Sequence, residues 1–160
     1  MIITKSLKFN KSGFTLIEML VVISVIGLLS SVLLNALGPA KDKAKDSRIM
    51  QEISQIRSLA ETMYNGTYAS LPELPGSTIA DPNLNQLVTD INQEGGEAHI
   101  IKSIDNRSYI LYSPLNTKIP DSNGTYNTQY YCLDSAGHAT FLSKEPDKAT
   151  LQKQPVVTCQ

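Results

Sequence analysis

Tryptophan is absent, only 6% of residues are aromatic, and the two histidines, His99 and His138, stand far apart in the chain. A scattered pair of imidazoles provides neither an acid–base couple nor a ligand set, so each reads as a structural or surface residue. The sequence also lacks a P-loop, an H-E-x-x-H and a G-x-S-x-G. It therefore points to no catalytic residue, no metal and no cofactor, and an enzyme is not expected. A cationic surplus is missing too: 14 Lys and Arg stand against 15 Asp and Glu, for a net charge of −1. A dedicated nucleic-acid binder needs such a surplus to displace counterions from phosphates, so no specific nucleic-acid partner is expected. Cysteine is scarce, with Cys132 and Cys159 alone.

The apolar residues are concentrated in one block. From Phe14 to Leu37 the chain reads FTLIEMLVVISVIGLLSSVLLNAL, with Glu18 as its one charge. As a helix rising ~1.5 Å per residue it reaches roughly 36 Å, enough to cross a hydrocarbon core of about 30 Å. Lys5, Lys8 and Lys11 precede it with no acid among them. The positive-inside rule then leaves Met1 to Gly13 in the cytoplasm and carries the chain after Gly38 across the membrane. A cleaved secretory signal is the competing reading, since Ala36-Leu37-Gly38 looks like a small-x-small site. The run is too long for an h-region, and a carboxylate sits near its start. An acid at membrane depth is costly unless protonated, paired or interfacial, which makes Glu18 either a functional residue or one helped by the helix N-terminal dipole.

Lys11-Ser12-Gly13-Phe14-Thr15-Leu16-Ile17-Glu18, followed by Met19-Leu20-Val21-Val22-Ile23, resembles the processing site of type IV prepilins and type II secretion pseudopilins. The resemblance covers about a sixth of the chain, residues 11–37. It implies that prepilin peptidase cuts between Gly13 and Phe14 and methylates the new amino group of Phe14. It also implies that Glu18 meets the positive N-terminus of a neighbouring subunit during assembly. The implied partners are identical subunits and related minor pilins in a filament, prepilin peptidase, an inner-membrane platform protein, an assembly ATPase and membrane lipid. The implied location is the inner membrane with the head outside the cytoplasm, then a surface pilus or a periplasmic pseudopilus. A pilin, a type II secretion pseudopilin and a membrane-tethered binding module that never polymerises all share this layout.

Four segments follow: a leader at 1–13, a membrane and polymerisation helix at 14–38, an amphipathic helix at 39–65 and a head at 66–160. Pro39 cannot donate to the carbonyl of Asn35, so a kink or break is expected there. Lys41 to Arg48 interleaves bases with Asp42 and Asp46 at helical spacing and reads as a solvated helix face. Ile49, Ile53, Ile56, Ala60 and Met63 form the stripe of a helix that packs on something, ending near Asn65-Gly66. Residues 67–80 read as an irregular connector. Asp81-Pro82 opens a short helix bearing Leu84, Leu87, Val88 and Ile91, and Gly95-Gly96 marks its exit. Strands are expected at 99–104, 108–113, 129–133 and 139–143, the last two as a hairpin. The expected fold class is α+β, a long N-terminal helix packed on a small antiparallel sheet.

In an exported chain Cys132 and Cys159 read most simply as a disulfide tying the C-terminal tail to the strand that bears Cys132. A C-terminal disulfide loop is also common in type IV pilins. Asp121-Ser122-Asn123-Gly124 is similar to the first half of a calcium loop, but the later bidentate acid is missing and the segment reads as a turn.

Overall fold

The computed structural model describes residues 13–159; the leader lysines Lys5, Lys8 and Lys11 lie outside them. The chain divides between Gly38 and Pro39 into two compact units. Helix α1 runs Leu16–Thr62, followed by α2 (Pro82–Gln93), strands β1 (His99–Lys102), β2 (Tyr109–Pro120), β3 (Tyr126–Asp134) and β4 (Ala139–Leu142), and α3 (Lys148–Leu151). The helical assignment continues through Pro39, so the expected break does not occur. One missing N–H removes one bond of the ladder, and the bonds on either side keep the backbone helical. The helix stops at Thr62, short of Asn65.

Among the described residues of the first unit the large apolar side chains are exposed, Leu16, Ile17, Val21, Ile26, Leu29, Leu33 and Leu37 among them. The hydroxyls of Ser24 and Ser30 donate to the carbonyls of Leu20 and Ile26, and that of Ser31 to Leu28, each at 2.8 Å. The three serine hydroxyls inside the run are thereby satisfied by their own helix, as an apolar surrounding requires.

In the second unit, a four-stranded antiparallel sheet has the order β1-β2-β3-β4. Alternation along the strands buries both of its faces. One face contributes Ile100, Tyr109, Leu111 and Leu133 to a core shared with Ile49, Ile53, Ile56 and Ala60 of α1. Leu84 and Ile91 of α2 and Leu71 and Leu74 of the connector close the same core. The other face presents Ile101, Ile110, Tyr112 and Cys132, covered by Val157 of the C-terminal tail. Two tyrosine hydroxyls on the first face, Tyr68 and Tyr109, donate to Glu61 at 3.0 Å. Burial and that carboxylate push the Tyr68 hydroxyl up to about 12.

Two expectations need correction. The second strand is twice as long as its pattern indicates, because it continues past Pro114 to Pro120 after a register shift between Pro114 and Lys118. Asp46 is also not on a solvated face: it is 5% exposed and its carboxylate reads the shifted strand. The backbone N–H of Asn116 donates to it at 2.6 Å, that of Thr117 at 2.9 Å and the Asn116 amide at 3.1 Å. The bulge frees backbone donors from the ladder, and the helix supplies their acceptor. The Asn116 amide also donates to the Glu94 carbonyl at the end of α2. A side chain at Gly95, which has φ +88°, would collide with that amide at 2.7 Å.

Candidate functional site

The first turn of α1 is a reciprocal cap. The Thr15 N–H donates to Glu18 Oε2 at 2.8 Å, the Thr15 hydroxyl donates to the same oxygen at 2.7 Å, and the Glu18 N–H donates to Thr15 Oγ1 at 3.3 Å. This is the T-x-x-E capping box: two orphan donors of the helix start are satisfied and the carboxylate lies at the positive end of the helix dipole. Glu18 therefore does not stand bare at the start of the apolar run. Thr15 was not singled out by the sequence reading, although the spacing of Thr15 and Glu18 carries the signal.

Gly13 and Phe14 precede the helix in irregular backbone and are exposed, Phe14 at 82%. The bond between them is thus free of secondary structure, and among the described residues nothing lies within 4 Å of the position a Gly13 side chain would take. In this chain the Phe14 nitrogen is a peptide nitrogen, and the Glu18 carboxylate engages Thr15 in its place.

Cys132 on β3 and Cys159 in the tail are bonded, with Cα atoms 5.8 Å apart. The bond holds the tail across the second face of the sheet, where Val157 is buried and its N–H donates to the Ser108 hydroxyl at 3.0 Å. Asp121 lies in the β2–β3 turn, and its carboxylate accepts from the backbone of Asn123 and Thr125 at 2.8 and 2.9 Å. Among the described residues no group of three His, Cys, Asp or Glu side chains is placed to hold a metal ion. His99 stacks on Tyr112 with ring centroids 4.4 Å apart, and burial lowers its proton affinity. His138 points outward beside Asp134, with Nδ1 3.2 Å from Oδ2. The two rings take separate structural positions and form no joint site.

The prokaryotic N-terminal methylation motif matches residues 8–34. Over 108 residues the chain is 30% identical to type II secretion system core protein G of Escherichia coli (strain K12), covering 66% of this chain and 74% of that protein. No solved structure matches it. The likeness extends far beyond the short methylation motif into the segment that folds as stripe, sheet and connector, and the chain accordingly belongs to the type IV pilin and pseudopilin family.

Proposed function

We propose that this chain is a structural subunit of a type IV pilus-like filament, cut between Gly13 and Phe14, methylated at Phe14 and polymerised through the helix of residues 14–38. The observation that carries this reading is the wholly exposed apolar run of α1. So much unburied apolar surface requires lipid before assembly and other subunits afterwards. Before assembly the helix spans the cytoplasmic membrane, with the head outside the cytoplasm. In the filament the Glu18 carboxylate leaves Thr15 for the Phe14 amine of a neighbour, a pairing that selects register because a lone buried charge costs several kcal/mol. A platform protein and an ATPase drive the extraction of the helix from lipid. The work of the chain is mechanical and not catalytic.

The second reading is a type II secretion pseudopilin, and the similarity to core protein G favours it. The C-terminal disulfide loop favours the pilin. Mass analysis of the N-terminus of native protein tests the shared part: a methylated Phe14 is expected, and an N-terminus at Met1 or beyond Gly38 refutes it. Electron microscopy of cells with and without the chain separates long surface filaments from a short periplasmic assembly.

A further inference from the structure

The hairpin joining β2 to β3 ends beside the first turn of α1 in the second unit. Pro39, Asp42 and Lys43 of the helix and Lys118 and Tyr126 of the hairpin line one groove of about 390 Å³. Beside the tip, Tyr126 is 69% exposed on the groove face of the hairpin, while Ile119 lies on the opposite face. Their positions are fixed by the turn: the Asp121 N–H donates to the Thr125 carbonyl at 2.8 Å, while the Asp121 carboxylate collects the donors of Asn123, Thr125 and Asn127. Gly124, at φ +77°, closes the loop in a conformation that glycine adopts without strain.

The charged residues lining the groove are Lys43, Lys118 and Asp42, two bases against one acid, with Lys41 and Lys45 on the same turns of the helix. Lys41, Lys43 and Lys118 are exposed and Lys45 is half-buried. The opposing acids are Asp42 and Asp121, and the second of these is consumed by its own turn. Asp46 is turned inward to Asn116 and Thr117. An exposed tyrosine between Lys43 and Lys118 is the composition of an interfacial contact: the aromatic ring sits at headgroup depth while the ammonium groups meet phosphate. Pro39 directly follows the apolar run in sequence, which keeps a groove containing Pro39, Asp42 and Lys43 within chain reach of the headgroup layer.

We infer that the β2–β3 hairpin tip and the lysines of the first turn after Pro39 form a second membrane contact, which takes anionic lipid headgroups and holds the unassembled subunit against the bilayer. This rests on the reading of residues 14–38 as a membrane span. Leaving the membrane then requires release of this patch as well as withdrawal of the helix.

The absence of tryptophan makes the test direct, because each introduced tryptophan is the sole one. Full chain is reconstituted in vesicles of phosphatidylcholine and phosphatidylglycerol containing lipid brominated high on the acyl chain. Three variants are compared: Tyr126→Trp at the tip, Tyr64→Trp beyond the far end of α1, and Leu28→Trp within the span. The expected result is an emission loss at least about twofold larger for Tyr126→Trp than for Tyr64→Trp, as interfacial burial of the ring requires. Adding Lys43→Glu and Lys118→Glu to the Tyr126→Trp chain is expected to abolish that excess in anionic vesicles. Equal quenching at the two head positions, with Leu28→Trp quenched, overturns the contact and leaves the span standing. An unquenched Leu28→Trp overturns both. Shielding of the tip that grows with protein concentration and ignores bromine assigns the patch to a second copy and refutes the lipid. Indifference to the charge reversals refutes the anionic headgroup.

Discussion

Glu52 and Asp46 are buried carboxyls on the same helix with opposite fates. Glu52 is 6% exposed, and its Oε2 has no hydrogen-bond partner. Burial raises its proton affinity above the ordinary value of 4.5, helped by Asp90 and Glu94 of α2 and opposed by Arg48. Arg48 is itself engaged with Glu94 at 2.9 Å. A folded-state pKa above the unfolded one makes the folded form hold the extra proton, so Glu52 costs nothing in acid and destabilises progressively as pH rises through that range. Glu52→Gln is expected to stabilise the head by on the order of 1 kcal/mol at neutral pH and to change nothing well below 4.5, read by urea unfolding of the full chain in detergent. For Asp46, burial again pushes upward, but the donors of Asn116 and Thr117 outweigh it and the net shift is downward. Its contribution is present above the unfolded value and is lost as pH falls through the lower folded one. Asp46→Ala leaves backbone donors of the bulge unpaired and is expected to cost about 3 kcal/mol, measured in the same assay at neutral pH.

Among the elements, the C-terminal tail depends most on a covalent tie. It adds no strand, and beyond the four residues of α3 its contribution is Val157 over the second sheet face and the bond from Cys159 to Cys132. Replacing both cysteines with serine releases a loop of 27-residue separation. The loss expected from loop-closure entropy is on the order of 3–4 kcal/mol, and thermal unfolding with and without reductant checks it, since only the parent chain should respond to reductant. The stripe from Ile49 to Ala60 and the Asp81-Pro82 start of α2 were legible in the sequence because each rests on local spacing: a helical period in one case, a cap followed by proline in the other. The cap is made as that pattern requires, with the Leu84 N–H donating to Asp81 at 2.9 Å. The second half of β2 was not legible. Pro114, Asn116 and Pro120 are poor strand formers, and what keeps them in the sheet is an acid seventy residues earlier. Asp46 was misread for the same reason, because charge spacing along a helix does not reveal which side meets a bulged strand. Helix α3 is too short to show a period.

At the scale of the whole molecule, the two units bury apolar surface by different means. The head closes its own core on both faces of the sheet, whereas the run from Phe14 to Leu37 has only itself. One chain therefore supports a stable fold and an unfinished interface, and the interface is completed first by lipid and then by other subunits. On the proposed reading Glu18 serves both states. In the single chain one oxygen of its carboxylate, Oε2, takes both donors of Thr15, which lowers the cost of placing the acid at the start of an apolar run. In the pairing we propose for the filament an amine replaces the hydroxyl, and the exchange is favourable only at the register that brings the two charges together. Glu18→Ala keeps the length and apolar character of the helix, so membrane retention and cleavage at Phe14 are expected to persist. Without the acid, the neighbour's amine is left buried and uncompensated, at a cost of about 3 kcal/mol per subunit added, or roughly a hundredfold in the incorporation equilibrium. The expected outcome is processed subunit accumulating in the membrane fraction with filaments nearly absent from sheared-cell preparations. Normal filament yield from Glu18→Ala would mean that packing of the apolar faces alone sets the register, and the pairing assigned to Glu18 would have to be withdrawn.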